Sequence, residues 1–136
     1  QAIGGAMSRH EGLINRAVGI ALTSTCRWRH GSVITKGSRV IAYSTNVHRN
    51  DPSLDHSNAS WHAEEAAIRE LHRVTGQAYG MGAFKGYTLY VARVNTRNEP
   101  VLSRPCGKCW DLLSYSGFTG AYYTNELGGL SHETIM

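Results

Sequence analysis

Apolar residues recur at helical spacing near the start of the chain. Leu13, Ile14, Ala17, Val18, Ala21 and Leu22 form one stripe, with Arg9, Glu11 and Arg16 around it, which predicts a helix over about 8–24. Two short β-rich runs follow, 31–35 and 39–44, separated by Lys36-Gly37-Ser38. A glycine in so short a polar break predicts a β-hairpin. Positions 46–60 are polar and contain Asn50-Asp51-Pro52, so they read as a loop. Ser60 stands where an N-cap belongs, Glu64 and Glu65 suit first helical turns, and Ala63, Ala66, Ala67, Ile68 and Leu71 carry a helix to about Gly76. Four glycines between 76 and 86 mark another loop. The run 87–94 is the best strand pattern in the chain and leads into a polar loop, 95–103. Pro105 suits a helix start, residues 109–115 continue that helix, and Gly117 ends it. Residues 118–124 read as a fourth strand, and beyond Asn125 the pattern fades.

The order is therefore α-β-β-α-β-α-β. Strands joined through helices pair in parallel within one sheet, and the hairpin adds an antiparallel pair. The fold class expected is α/β, a three-layer α/β/α arrangement around a mixed sheet of four to five strands.

Composition narrows the picture. A chain of 136 residues is one domain by length, and 41 % hydrophobic residues with a net charge of +4 argue against disorder. Residues 1–7 read as an appended or disordered N-terminal stretch ahead of a single domain, 8–136. No apolar run approaches the ~18 residues of a membrane span, and no basic-then-apolar leader is present, so a soluble cytoplasmic protein is expected. The positive charge is carried by 11 arginines against 3 lysines. Arginine forks match phosphate oxygens in pairs, which points to an anionic substrate, a nucleotide or a nucleic-acid strand. Three cysteines are too few for a disulfide scaffold. Two of them, Cys106 and Cys109, form a C-x-x-C, a spacing that suits metal or redox chemistry.

Two motifs fall on the two expected helix starts, His62-Ala63-Glu64 and Pro105-Cys106-Gly107-Lys108-Cys109. Helix starts carry partial positive charge and favour thiolate and hydroxide. Cysteines at i and i+3 share one helix face, so both sulfurs can reach one ion. One His and two Cys suit zinc and leave a fourth tetrahedral position open, and Glu64, two residues from His62, is placed to carry protons without being a ligand. Two other readings stay open on the residues alone. One is a closed structural zinc site with a fourth ligand among Cys26, His30, His48 and His56; the other is a redox cysteine pair.

H-x-E followed by P-C-x-x-C is the signature of zinc nucleobase deaminases. Around it the chain resembles the cytidine/deoxycytidylate deaminase superfamily over about residues 12–125. Residues 29–34 resemble the family's first strand, and 42–46 resemble the stretch ending in a substrate-contacting Asn. Ser103-Arg104-Pro105-Cys106 with Ala121-Tyr122-Tyr123-Thr124 looks most like deoxycytidylate-type enzymes, viral and phage forms included.

The resemblance implies zinc as cofactor, bound by His62, Cys106 and Cys109. It implies Glu64 as the catalytic proton carrier, moving a proton from water to the ring nitrogen and then to the leaving amine. It places the Ala63 N–H on the base carbonyl, the carbonyl of Arg104 or Ser103 on the exocyclic amine, and Asn46 on base or sugar. Arg27, Arg29, Arg49, Arg104 and Lys108 are the candidate cations for a phosphate; Tyr123 and Asn125 border the base; Trp61 and Trp110 flank the ligands.

Histidine at 62 distinguishes the chain from small nucleoside-type cytidine deaminases, which usually carry Cys there. The Arg-Pro-Cys and Trp110-Asp111 sequences depart from the tRNA adenosine enzymes. The activity implied is conversion of dCMP to dUMP. The alternatives are cytosine deamination in single-stranded DNA or RNA, tRNA adenosine deamination, and a non-catalytic zinc-stabilised nucleic-acid-binding module. Expected partners are a nucleotide substrate, single-stranded nucleic acid under the alternatives, and further copies of the chain in a homo-oligomer, with no membrane. The sequence departs from the family in two places. Extra length falls in 76–86 and 95–103, where it would shape the substrate mouth. Residues 125–136 are too few to supply both the helix and the strand that members usually add, which leaves the fifth strand missing, replaced by a neighbouring subunit or cut from the given sequence.

Overall fold

The structure, a computed structural model, describes residues 9–25, 29–45, 47–48, 60–61, 63–77, 82–105 and 107–135, with the side chains of 47–48, 60–61, 63–65 and 108 left aside. Helix α1 (Arg9–Ala21) turns Leu13, Ile14, Ala17 and Ala21 inward. Strands β1 (Arg29–Lys36) and β2 (Arg39–Thr45) pair antiparallel across Gly37-Ser38. Gly37 has φ +63°, as a two-residue hairpin turn with glycine first requires.

Two two-residue strands, β3 (Val47–His48) and β4 (Ser60–Trp61), form a short antiparallel ladder inside the stretch expected to be loop. Helix α2 (Ala63–Thr75) ends at Gly76, whose φ is +69° and whose N–H reaches the His72 carbonyl at 3.0 Å. Ser60 therefore belongs to a strand and is not the cap of α2.

Strand β5 (Tyr87–Val94) has the bounds the sequence pattern suggests. The expected loop after it contains β6 (Pro100–Val101), which folds back antiparallel on β5. The turn between them is built by Asn95, whose side-chain oxygen accepts the Arg97 and Glu99 N–H groups at 2.9 and 3.0 Å. Helix α3 (Gly107–Ser116) starts two residues after Pro105, later than expected, and Gly117 at φ +91° ends it. Strand β7 (Gly120–Thr124) is followed by β8 (Leu130–Thr134), an antiparallel partner the sequence reading did not expect. Asn125 builds that turn in the same way, its side-chain oxygen accepting the Leu127 and Gly129 N–H groups at 3.0 and 2.9 Å.

The main sheet has six strands in the order β2-β1-β5-β7-β8, with β6 off that path on β5. Among the described residues only β5 and β7 run parallel. Side chains alternate across β5. Tyr90 and Ala92 meet Leu13, Ile14 and Ala17 of α1, while Leu89 and Val91 face Ala67, Ile68 and Leu71 of α2 and Leu113 of α3. Both faces are covered, giving the three-layer α/β/α class expected. Burying each such Leu or Ile contributes roughly 1.5–3 kcal/mol, which is why two short helices hold against one face. Among the described residues no helix is long and apolar enough to cross a membrane.

The topology gathers the chain's chemistry at one end. Both β2 and β5 are antiparallel to β1, and β7 is parallel to β5, so all three point the same way. Helix α2 leads back to the start of β5 and α3 to the start of β7. Both helices therefore begin beside the C-terminal ends of the strands, the usual place for a ligand in an α/β sheet.

Candidate active site

Of the three expected zinc ligands, Cys109 is described. It lies in the first turn of α3, 1 % exposed and in no disulfide. A cysteine sulfur at a helix start is a ligand type that fits a soft or borderline cation. His62 and Cys106 lie outside the described residues, as do Asn46 and Arg49. Consequently, among the described residues, no three His, Cys, Asp or Glu side chains come together as a metal cluster. Ala63 and Glu64 open α2 at the same end of the sheet, with the Ala63 N–H among the four that no helical carbonyl satisfies. A donor set of one His and two Cys, one Cys already buried, fits zinc with an open position.

The run leading to the cysteines is anchored by a buried hydroxyl network. Ser103 is 5 % exposed, and its hydroxyl lies 2.9 Å from the Val91 carbonyl and 2.8 Å from the Thr124 hydroxyl. The Thr124 N–H donates to Ser103 Oγ at 2.9 Å, and the Ser103 N–H donates to the Thr124 carbonyl at 2.9 Å. Thr124 Oγ1 in turn donates to the Val101 carbonyl at 2.5 Å. These contacts tie residues 101–103 across the ends of β5 and β7. The Ser103 side chain is thus committed to the scaffold, which leaves its backbone as the part suited to a substrate.

Arg104 and Tyr123 converge on a residue that sequence reasoning missed. Arg104 Nε and Nη2 donate to the Glu133 carboxylate at 2.5 and 3.1 Å, and the Tyr123 hydroxyl donates to it at 2.6 Å. The Arg104 guanidinium also sits 4.8 Å from the centre of the Trp110 ring. The Arg104 guanidinium first, and the Tyr123 hydroxyl second, hold the Glu133 carboxyl down at about 2. Glu133 in turn pushes the Tyr123 hydroxyl up, and burial adds to that shift. Tyr123 is 8 % exposed and belongs to the core cluster. Trp110 packs against the same cluster.

Other candidates also have structural duties. Arg29 donates to the Asn95 carbonyl and, at 2.8 Å, to Asn98 Oδ1, clamping the β5–β6 turn. Asn125 spends its side chain on its own turn and on Ser131 Oγ at 3.1 Å. Arg27, Cys26 and His56 lie outside the described residues. His30 is half-buried on β1, in register with Arg93 of β5.

A family model for the cytidine and deoxycytidylate deaminase zinc-binding region matches residues 7–125. No curated protein matches the chain by sequence. Among solved structures, a dCMP deaminase from the cyanophage S-TIM5, in complex with dCMP and dUMP, is 18% identical; the match covers 89% of this chain and 85% of that one, with TM-score 0.64. A cytidine deaminase from Burkholderia pseudomallei is 19% identical over 95% of this chain and 94% of that one, with TM-score 0.66. A structure from work on A-to-I editing by tRNA:A34 deaminases is 26% identical over 88% of this chain and 78% of that one, with TM-score 0.60.

Proposed function

This chain belongs to the cytidine and deoxycytidylate deaminase zinc-binding family, and from that premise we propose that it is a zinc-dependent hydrolase that converts cytosine to uracil in a deoxynucleotide, dCMP to dUMP, releasing ammonia. The observation that carries the reading is Cys109. A thiol 1 % exposed in the first turn of α3 stands at the sheet end where α2 also begins with Ala63-Glu64. The arginine-rich composition and the dCMP-binding cyanophage neighbour support the nucleotide.

His62, Cys106 and Cys109 would hold the zinc, which when bound would lower the pKa of a water to about 7. Glu64 would carry protons from water, one to the ring nitrogen, where it stays in uracil, and a second to the departing amine. The oxygen adds at C4 as the C4–N bond breaks, so water and cytosine leave as ammonia and uracil. The Ala63 N–H holds the base carbonyl, the carbonyl of Ser103 or Arg104 accepts from the exocyclic amine, and Asn46 orients base or sugar. Tyr123 backs the site from β7. Its hydroxyl is engaged by Glu133, so it acts here through its ring. For the phosphate, Arg49 is the cation of choice, because Arg104 already donates through both Nε and Nη2.

The 26% identity to the tRNA:A34 deaminase structure favours a second reading, the same chemistry on adenosine in an RNA loop. One ammonia-release assay separates the readings when it compares dCMP, cytidine, adenosine, a cytosine-containing oligonucleotide and an anticodon stem-loop. Turnover of dCMP with Glu64→Gln inactive yet zinc-loaded supports the proposal. Turnover of an oligonucleotide or stem-loop alone replaces the substrate. A zinc ion with four protein ligands overturns the enzyme and leaves a zinc-stabilised binding module.

A further inference from the structure

We propose that Glu133, on the last strand, is a positioning residue for the cysteine loop, acting through Arg104. The inference rests on the zinc reading above. Glu133 lies beyond the residues the family model matches. It stands opposite Ala121 in the β7–β8 register, so it shares the sheet face of Ala121 and Tyr123 under α3. Its two carboxylate oxygens take both donors of one arginine edge, and Oε2 also takes the Tyr123 hydroxyl.

An isolated exposed ion pair has little value, but this one is a two-point pair with a third donor and an aromatic floor. Its side chains are 44% and 34% exposed, so water reaches the pair without dissolving its geometry. The cysteine motif is flanked on one side by Arg104 and on the other by Trp110, and the two flanks touch. Ser103, on the other side of Arg104, is anchored to Val91 and Thr124. Between that anchor and α3, Glu133 fixes the side chain of Arg104, the residue that precedes Pro105. Loss of Glu133 frees Arg104 to swing and loosens the approach to Cys106, while the fold keeps its core.

The test follows zinc release from the zinc-loaded full-length chain to a chromogenic chelator, beside the thermal midpoint of the metal-free chain. Partners one step behind metal ligands typically matter 10–100-fold, and Glu133 stands a step further back, so Glu133→Ala should release zinc about 3–10-fold faster. Glu133→Gln, which keeps an acceptor for Tyr123 and drops the charge, should fall between and serves alone if the alanine variant does not fold. In an Arg104→Met background the Glu133 substitution should add nothing. Zinc release at the wild-type rate with only a lowered metal-free midpoint would overturn the proposal, as would an undiminished effect in the Arg104→Met background. A wild-type chain that takes up no zinc would instead overturn the zinc reading beneath it.

Discussion

The hydroxyls of Ser103 and Thr124 lie 2.8 Å apart in a fully buried position, and each residue also bonds the other's backbone. A residue from the run before the cysteines and one from β7 thus satisfy each other where water cannot. Ser103→Ala would leave the Thr124 N–H without its partner, a cost of about 1–3 kcal/mol for a buried unsatisfied group. Thr124→Val should cost a similar amount, and the double variant less than the sum. Urea unfolding of the four proteins measures this; strict additivity would show that the pair does not act as a unit.

Gly31 faces α1 at a distance only glycine allows. A Cβ there would stand 2.5 Å from the Ala21 backbone nitrogen and closer still to the Ala17 carbonyl oxygen. Backbone cannot step aside as a side chain can. Gly31→Ala should therefore destabilise by about 3 kcal/mol or more, the upper range for overpacking. Gly37→Ala, at φ +63° with open space around it, should cost only the turn strain, roughly 1 kcal/mol. Thermal unfolding of the two variants would show the order.

On the α1 face, a ring ladder sets a pH dependence. Tyr90, Tyr122 and His132 are cross-strand neighbours, Tyr122 stacks on His10 at 4.4 Å, and His10 Nδ1 lies 2.6 Å from the Tyr90 hydroxyl. Burial first, then the charges of Arg9 and His132, lower the His10 pKa below 6.5. The unfolded chain then binds the proton more readily, so this contribution is complete above pH 6.5 and lost as pH falls below it. Burial first, then Tyr122, pushes Tyr90 up to about 12, so its contribution is lost as pH rises from 10 towards 12. Unfolding midpoints of wild type and His10→Gln from pH 5 to 8 should diverge least at the acid end. Parallel curves would remove His10 from the account.

Cys109→Ser should lower bound zinc from about one ion per chain to a small fraction, with the far-ultraviolet circular dichroism kept. Cys109 is buried, and the core cluster that contains Leu113, Phe118 and Leu89 does not include it, so that cluster needs no metal to pack. Metal analysis after gel filtration reads the outcome. Full zinc content in the variant would remove Cys109 from the ligand set.

Much of this was legible along the chain because it is local. Tyr87–Val94 reads as a strand from β-branched and aromatic residues, and Lys36-Gly37-Ser38 reads as a turn from one glycine. Strand β8 was not legible. Leu130-Ser-His-Glu-Thr134 is half exposed with a single neighbour, so it carries no apolar alternation, and its pairing depends on the turn that Asn125 builds. Strand β6 is two residues long and is defined by β5 alone.

The sequence by itself determined the family and the α/β order, and it put forward His62, Cys106 and Cys109 as candidates for a metal, because spacing along a helix and residue chemistry are properties of neighbours. Only the tertiary structure decided how Arg104, Tyr123 and Asn125 are used. Their sequence positions allowed them a substrate, but folding brings Glu133 to Arg104 and Tyr123 and turns Asn125 back on its own backbone. A side chain's partner is set by which strand lies beside it, and that is a distance in space which sequence separation does not encode.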